Sequence, residues 1–173
     1  MDTADEEFDA FFRARTKSLL RSAYLMTGDR HKAEDLVQET LARTHRAWGR
    51  IGATGNPEAY ARQVMYNLQI SWWRRRRVPE SLYGEMPERQ ASGDHSGDTD
   101  TRLALRTALM SLSERQRAVI VMRYFEDRSE PEIAEALGCR VGTVKSHAAR
   151  ALTALRAVLP DLTGFPNAEG ISR

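Results

Sequence analysis

The chain has 173 residues, of which 41% are apolar, a formal net charge of +2 and a single cysteine, Cys139. That supplies core for one domain or for two small ones, while the lone cysteine excludes an internal disulfide and any cysteine-rich zinc site. No apolar run reaches the roughly 18 residues of a membrane span, and the acidic start MDTADEEFDAFF is unlike a signal peptide, so a soluble cytoplasmic protein is expected.

The charge is unevenly spread. Residues 1–77 carry a net +4, residues 78–101 a net −5 and residues 102–173 a net +3. Two basic blocks around an acidic middle suggest two contacts with a polyanion. The segment VPESLYGEMPERQASGDHSGDTD has the Pro, Gly, Ser and acid content of a flexible linker, and everything flanking it reads as helix.

In chain order, the first helix is predicted from about Asp5 to Met26, with Phe8, Phe11, Phe12, Leu19, Ala23 and Met26 as its apolar stripe. Gly28 stops it and Asp29 caps a second helix, which runs to about Trp48 and buries Leu36, Thr40 or Leu41, Thr44 and Trp48. GRIGATGN is a glycine-bearing loop. Asn56 caps a third helix that has Pro57 at its first position, buries Val64, Leu68 and Trp72, and ends in the run SWWRRRR. Of the two tryptophans, Trp72 falls on the buried stripe and Trp73 is the expected surface residue.

After the linker, Leu103, Leu105, Leu109 and Leu112 mark a short helix. Two capping boxes, Ser113–Gln116 and Ser129–Glu132, each announce a helix start. The apolar stretch RAVIVMRYFED between them reads as helix because no partner strand is visible. In SEPEIAEALGCRVGTVKSHAARALTALRAVL, a short helix containing Ala134 reaches the tight turn at Gly138. A second helix then buries Val144, Ala148, Ala151 and Leu155. Its opposite face presents Thr143, Ser146 or His147, and Arg150, flanked by Lys145. No acid occurs between Ala136 and Pro160. This is the pattern of a helix-turn-helix with an unopposed basic recognition helix, suited to the major groove.

Four stretches, in order, resemble bacterial sigma factors of the extracytoplasmic-function (ECF) type: AEDLVQETLARTHRAW their region 2.2, NPEAYARQVMYNLQISWWRRRR their regions 2.3 and 2.4, LMSLSERQRAVIVMRYFEDRSEPEIAEAL their region 4.1, and LGCRVGTVKSHAARAL their region 4.2. The resemblance implies an all-α protein of two small helical domains. Residues 1–77 would form the region 2 domain, 78–101 a flexible acidic linker, 102–159 the region 4 domain and 160–173 a mobile tail.

It further implies that Asp35, Gln38, Glu39 and Arg43 dock on core RNA polymerase. Arg62, Asn67, Trp73, Arg74, Arg75, Arg76 and Arg77 would contact −10 DNA, and the loop from Gly49 to Asn56 would capture an unstacked base. Arg140, Thr143, Lys145, Ser146, His147 and Arg150 would contact −35 DNA. The implied partners are the polymerase β′ clamp helices and β flap, promoter DNA and an anti-sigma factor. No cofactor, metal, small-molecule substrate or catalysis is implied. Three positions depart from the family pattern: Arg140 where Ser or Pro is frequent, His147 where Arg is frequent, and Ser71 where Asp is common.

Two other classes use such a motif. A freestanding helix-turn-helix regulator would need a sensing or dimerising domain in residues 1–77. A DNA recombinase would need an α/β catalytic domain, and no strand pattern is present. For the sigma reading, a coil of residues 78–101 spans only about 27 Å. The two domains of the free chain are therefore expected to lie close together, their basic modules folded over the linker and their DNA faces hidden.

Overall fold

The computed structural model describes residues 3–51, 55–76 and 98–159, and all of the secondary structure in them is helical. The bulk of the expected linker, the 160–173 tail and Arg77 lie outside the described residues.

Helix α1 (Thr3–Thr27) ends at Gly28, whose φ of +67° is the left-handed conformation that stops a helix. Asp29 then caps α2 (Arg30–Arg46) by accepting a 2.9 Å hydrogen bond from the Lys32 amide. That bond holds the Asp29 carboxyl below its ordinary pKa. Leu36, Thr40, Leu41 and Thr44 are buried, and the Thr40 and Thr44 hydroxyls donate back to the carbonyls of Leu36 and Thr40 at 2.7 and 2.8 Å. Both hydroxyls are thereby satisfied inside the core. A short turn, α3 (Trp48–Ile51), follows, and Trp48 closes the bundle's end against Phe8 and Phe11 at 5.2 Å. Asn56 caps α4 (Pro57–Arg76) through a 3.1 Å bond from the Ala59 amide.

The second half opens with α5 (Asp98–Met110). Residues 98–101, which read as linker by composition, begin this helix; acids are also favoured in a helix's first turn. Both capping boxes form, Ser113 on α6 (Glu114–Ile120) and Ser129 on α7 (Glu130–Leu137). RAVIVMRYFED is helical as expected, but its second part, Val121–Phe125, is a π-helical turn. Four consecutive side chains, Val119 to Met122, are at most 1% exposed, which one face of an α-helix cannot achieve. The segment is enclosed by α1, α7 and α8, so its burial is set from several sides. Gly138, at φ +62°, makes the turn into α8 (Val141–Val158). A Cβ there would meet nothing within 4 Å, so the glycine is required by backbone conformation and not by space.

The two halves do not keep separate cores. One continuous apolar cluster joins Leu19, Met26, Leu36, Met65, Tyr66 and Trp73 of the first half to Val119, Met122, Ile133, Leu137, Val144 and Ala148 of the second. A smaller cluster of Leu109, Leu112, Ile120, Leu152 and Leu155 completes the second half. The closeness expected of the free chain is present, as packing of α4 on α7 and of α1 on α5, α6 and the π turn.

Candidate nucleic-acid interface

Helix α8 packs Val144, Ala148, Ala151 and Leu155 inward, each no more than 1% exposed. Because these recur with the helical period, the other face is left to solvent, and Arg140, Thr143, Lys145, Ser146 and Arg150 are all exposed on it. Arg140 stands at the N-cap and makes no capping hydrogen bond, as its side chain, a donor only, dictates. The basic face is not unopposed, however. The α8 segment itself has no acid, but α7 brings Glu130, already paired with Arg123, to 3.8 Å from the Lys145 ammonium. The acid-free stretch in the sequence could not show a neighbour contributed by the preceding helix.

His147 is half-buried, with its Nδ1 enclosed and without a hydrogen-bond partner. Burial, aided by the charges of Arg115 and Arg150, pushes its pKa below the ordinary 6.5. The ring is neutral at physiological pH and adds shape, not charge, to this face.

The expected −10 face lies on α4. Asn67 is exposed and accepts a 3.3 Å bond from Gln63. Arg74 and Arg75 are exposed, Arg75 donating to the Ser71 hydroxyl at 3.3 Å, and Arg76 ends the helix. Residues 52–54 of the expected base-capturing loop lie outside the described residues.

Two expectations for this face are corrected. Trp73, expected at the surface, is 7% exposed and part of the core, while Trp72, expected in the core, is only partly buried. A one-sided stripe was assumed for α4, but α1 and the start of α6 close over its end, so Trp73 lies beside Met26, Thr27, Glu114 and Arg117. Arg62, expected to face DNA, has a side chain only 14% exposed. It donates to Glu58 at 3.0 Å and to Glu126 of the second half at 2.6 Å.

On α2, Asp35, Gln38 and Arg43 are exposed and Glu39 partly so, all on one side at helical spacing. Arg43 donates to Glu39 at 2.7 Å, and this bond holds the Glu39 carboxyl below its usual range. Beside Gln38, Phe8, Phe12, Leu20, Val37 and Leu41 line a groove of about 560 Å³ between α1 and α2. Sequence reasoning placed Phe12 in the core; at 42% exposed it forms the groove's open wall. The i, i+4 pair Phe8 and Phe12 was the available signal. Among the described residues no three His, Cys, Asp or Glu side chains converge as a metal site requires, and no helix is long and apolar enough to cross a membrane.

A basic recognition helix held on a small helical corner, with a second basic helix end at Arg74 to Arg76, defines a DNA-binding protein of the helix-turn-helix class. Comparison with known proteins is more specific. Residues 11–78 match the family model for sigma-70 region 2, and residues 102–155 that for sigma-70, region 4. The RNA polymerase sigma-E factor of Streptomyces coelicolor is 40% identical over 150 residues, 87% of this chain and 84% of that protein. The ECF RNA polymerase sigma factor SigL of Mycobacterium tuberculosis is 37% identical over 158 residues, 88% of this chain and 89% of that protein. Among solved structures, the sigma factor RpoE, crystallised with the anti-sigma factor NepR from Bartonella quintana, superposes with a TM-score of 0.69 at 25% identity, covering 91% of this chain and 99% of that one. The chain belongs to the sigma-70 family of RNA polymerase sigma factors, in its ECF branch.

Proposed function

We propose that the two halves divide the work of a sigma factor, with Asp35, Gln38, Glu39 and Arg43 on α2 meeting core RNA polymerase, the exposed residues of α4 meeting −10 DNA, and the α8 face meeting −35 DNA. A sigma factor directs promoter-specific transcription initiation, and no catalytic step belongs to this reading. The observation that carries the residue assignment is the two-sidedness of α8: four inward positions are fully packed while Thr143, Ser146 and Arg150 stand free on the other side. Such a helix has no packing task left for its outer face, and its polar and cationic groups match base edges and phosphates.

Arg74 and Arg75 supply backbone charge at the other element, where Asn67 offers an amide to a base edge. The unit boundaries that follow are residues 1–77 for the first half and 102–159 for the second, with α5 reaching back to Asp98. The likeness to RpoE supports an anti-sigma factor as a partner, and the cytoplasm is the compartment that this reading implies. Run-off transcription on a genomic promoter library tests the reading: core polymerase with this chain gives discrete initiation sites that core alone does not. Promoter binding without core, and no transcripts with it, would favour a freestanding regulator instead.

A further inference from the structure

The DNA faces expected to be hidden in the free chain are open: the outer surface of α8 is exposed, and so are Asn67, Arg74 and Arg75 on α4. One residue of the α8 surface has no explanation inside the chain. Gly142 stands in the first turn of this 18-residue helix, where glycine is a poorer helix former than alanine. Among the described residues the glycines with left-handed backbone are Gly28 and Gly138, and Gly142 is not one of them. Nor is it glycine for want of room. A Cβ built on Gly142 meets nothing within 4 Å, whereas one on Gly28 would lie 2.2 Å from the Met110 sulfur and one on Gly55 3.1 Å from the Ile51 carbonyl oxygen. The fold accepts a side chain at 142 in both conformation and space, and would gain helix propensity from it.

The residues around Gly142 show what a side chain there would obstruct. At 3.6 residues per turn, Gly142, Ser146 and Ala149 fall within about 60° of one another on the outer surface, and all three are exposed. Lys145 and Arg150 lie roughly 40° beyond them, one on each flank. Both are long and flexible, so they reach phosphates or base edges from the sides without standing between the helix and the groove floor. Ser146 is different. It reads a base only through the one Oγ next to its Cβ, and a hydroxyl hydrogen bond is about 2.7–2.8 Å long. Its backbone must therefore come close to the base edges, and the residues one turn before and one turn after it must come equally close. Those residues are Gly142, at i−4, and Ala149, at i+3. Recognition helices meet base edges with their N-terminal residues, which puts Gly142 in the turn that seats most deeply.

We infer that Gly142 sets the depth of the −35 interface: its missing side chain lets the first turns of α8 sink into the major groove until the Ser146 hydroxyl reaches a base edge. The inference rests on the DNA reading of the α8 face given above. Gly142 itself reads nothing, since it offers no side-chain donor or acceptor. It is a positioning residue, and Ser146 is the group it positions. A methyl group at 142 would meet the DNA before Ser146 does. The effect is opposite in the two states, because that methyl group stabilises the free helix and obstructs the complex. Arg150, with its long stem, would adjust to a helix held farther out and lose less.

The test uses the full chain with core polymerase and a promoter library carrying a randomised −35 element, read by run-off transcription and sequencing. Gly142→Ala should lower −35-dependent transcript yield about tenfold, as loss of one good base contact does, and flatten preference at one −35 position. That position should be the one that Ser146→Ala also flattens. The Gly142→Ala, Ser146→Ala double variant should lose little beyond either single one, because the two changes remove the same contact. Urea unfolding of the free chain should meanwhile find Gly142→Ala at least as stable as the parent, and titration with core polymerase should find it bound as tightly. Gly49, where a Cβ would also meet nothing within 4 Å, lies on α3, and Gly49→Ala should leave −35 preference unchanged. Parent-like yield and preference in Gly142→Ala overturns the inference, and so does a loss of stability, which would give the glycine a role in the fold. An additive double variant overturns it as well. If Ser146→Ala and Arg150→Ala both keep the parent's −35 preference, the DNA reading of α8 falls too. If Arg150→Ala relaxes that preference and Gly142→Ala does not, only the depth of seating is refuted.

Discussion

The guanidinium of Arg117 lies 2.8 Å from the carbonyl oxygen of Met26, a residue 91 positions earlier in the chain. Among the described residues no carboxylate is bonded to this buried cation; its three hydrogen bonds go to main-chain carbonyls at the ends of α1 and α5 and in the turn before α6. Helix C-termini carry partial negative charge, so a cation between two of them is stabilised without an anion. Burial lowers the pKa of Arg117, but guanidinium remains charged throughout the accessible pH range.

Arg117→Met should therefore lower stability by about 2–4 kcal/mol, because the apolar stem is kept while carbonyls are left without their charged donor. Urea unfolding followed by circular dichroism gives the value. Arg117→Lys should recover only part of the loss, since an ammonium cannot copy the planar fork that reaches three acceptors. Full stability in the lysine variant would mean that charge alone, and not geometry, is what the site requires.

On α2, replacing Gln38 and Glu39 together by alanine should weaken core-polymerase binding about tenfold or more while leaving the melting curve nearly unchanged. Neither side chain packs in the core. Fluorescence anisotropy of the labelled chain titrated with core polymerase measures the affinity. An unaltered affinity in the folded variant would move the docking surface elsewhere.

Lys145 and Arg150 are both exposed on α8, on opposite flanks of its outer surface, and should not be equivalent. Arg150→Ala should cost about 1–3 kcal/mol of binding and relax preference at one −35 position if it pairs with a base. Lys145→Ala should cost less and change the salt slope by under one counterion, because Glu130 stands 3.8 Å from its ammonium before any phosphate arrives. Glu130→Gln, which frees that charge, should raise affinity for all sequences alike. Salt-dependent binding of a promoter library measures all three, and a larger loss at Lys145 than at Arg150 would contradict the arrangement.

His147 gives a prediction in pH. Its folded pKa is depressed below 6.5 by burial first and then by Arg115 and Arg150, so on acidification the unfolded chain takes up the proton before the folded one. The contribution of this group to stability is thus intact above pH 6.5 and is lost as the pH falls from 6.5 through the lower folded value. An NMR titration of the His147 ring should show a midpoint below the ordinary 6.5. His147→Arg should steepen the salt dependence of DNA binding by about one counterion, since it places a permanent charge where the neutral ring now sits. A midpoint at or above 6.5 would sink the account.

The sequence by itself determined the helices and the recognition face. Asp29, Asn56, Ser113 and Ser129 each cap the helix they announce, and Val144, Ala148, Ala151 and Leu155 each point inward. These are local matters, decided by side chains three or four positions apart and by the backbone groups at a helix end. The tertiary structure alone decided which tryptophan is buried, what Arg62 binds, what neighbours Lys145, and that the two apolar cores merge. Arg62 meets Glu126 across 64 positions and Arg106 meets Gly28 across 78. No periodicity within a helix encodes a partner so far away. A helix whose end is closed over by further elements, as α4 is at Trp73 by α1 and the start of α6, buries residues outside its main stripe, so a one-sided stripe read from its sequence selects the wrong tryptophan.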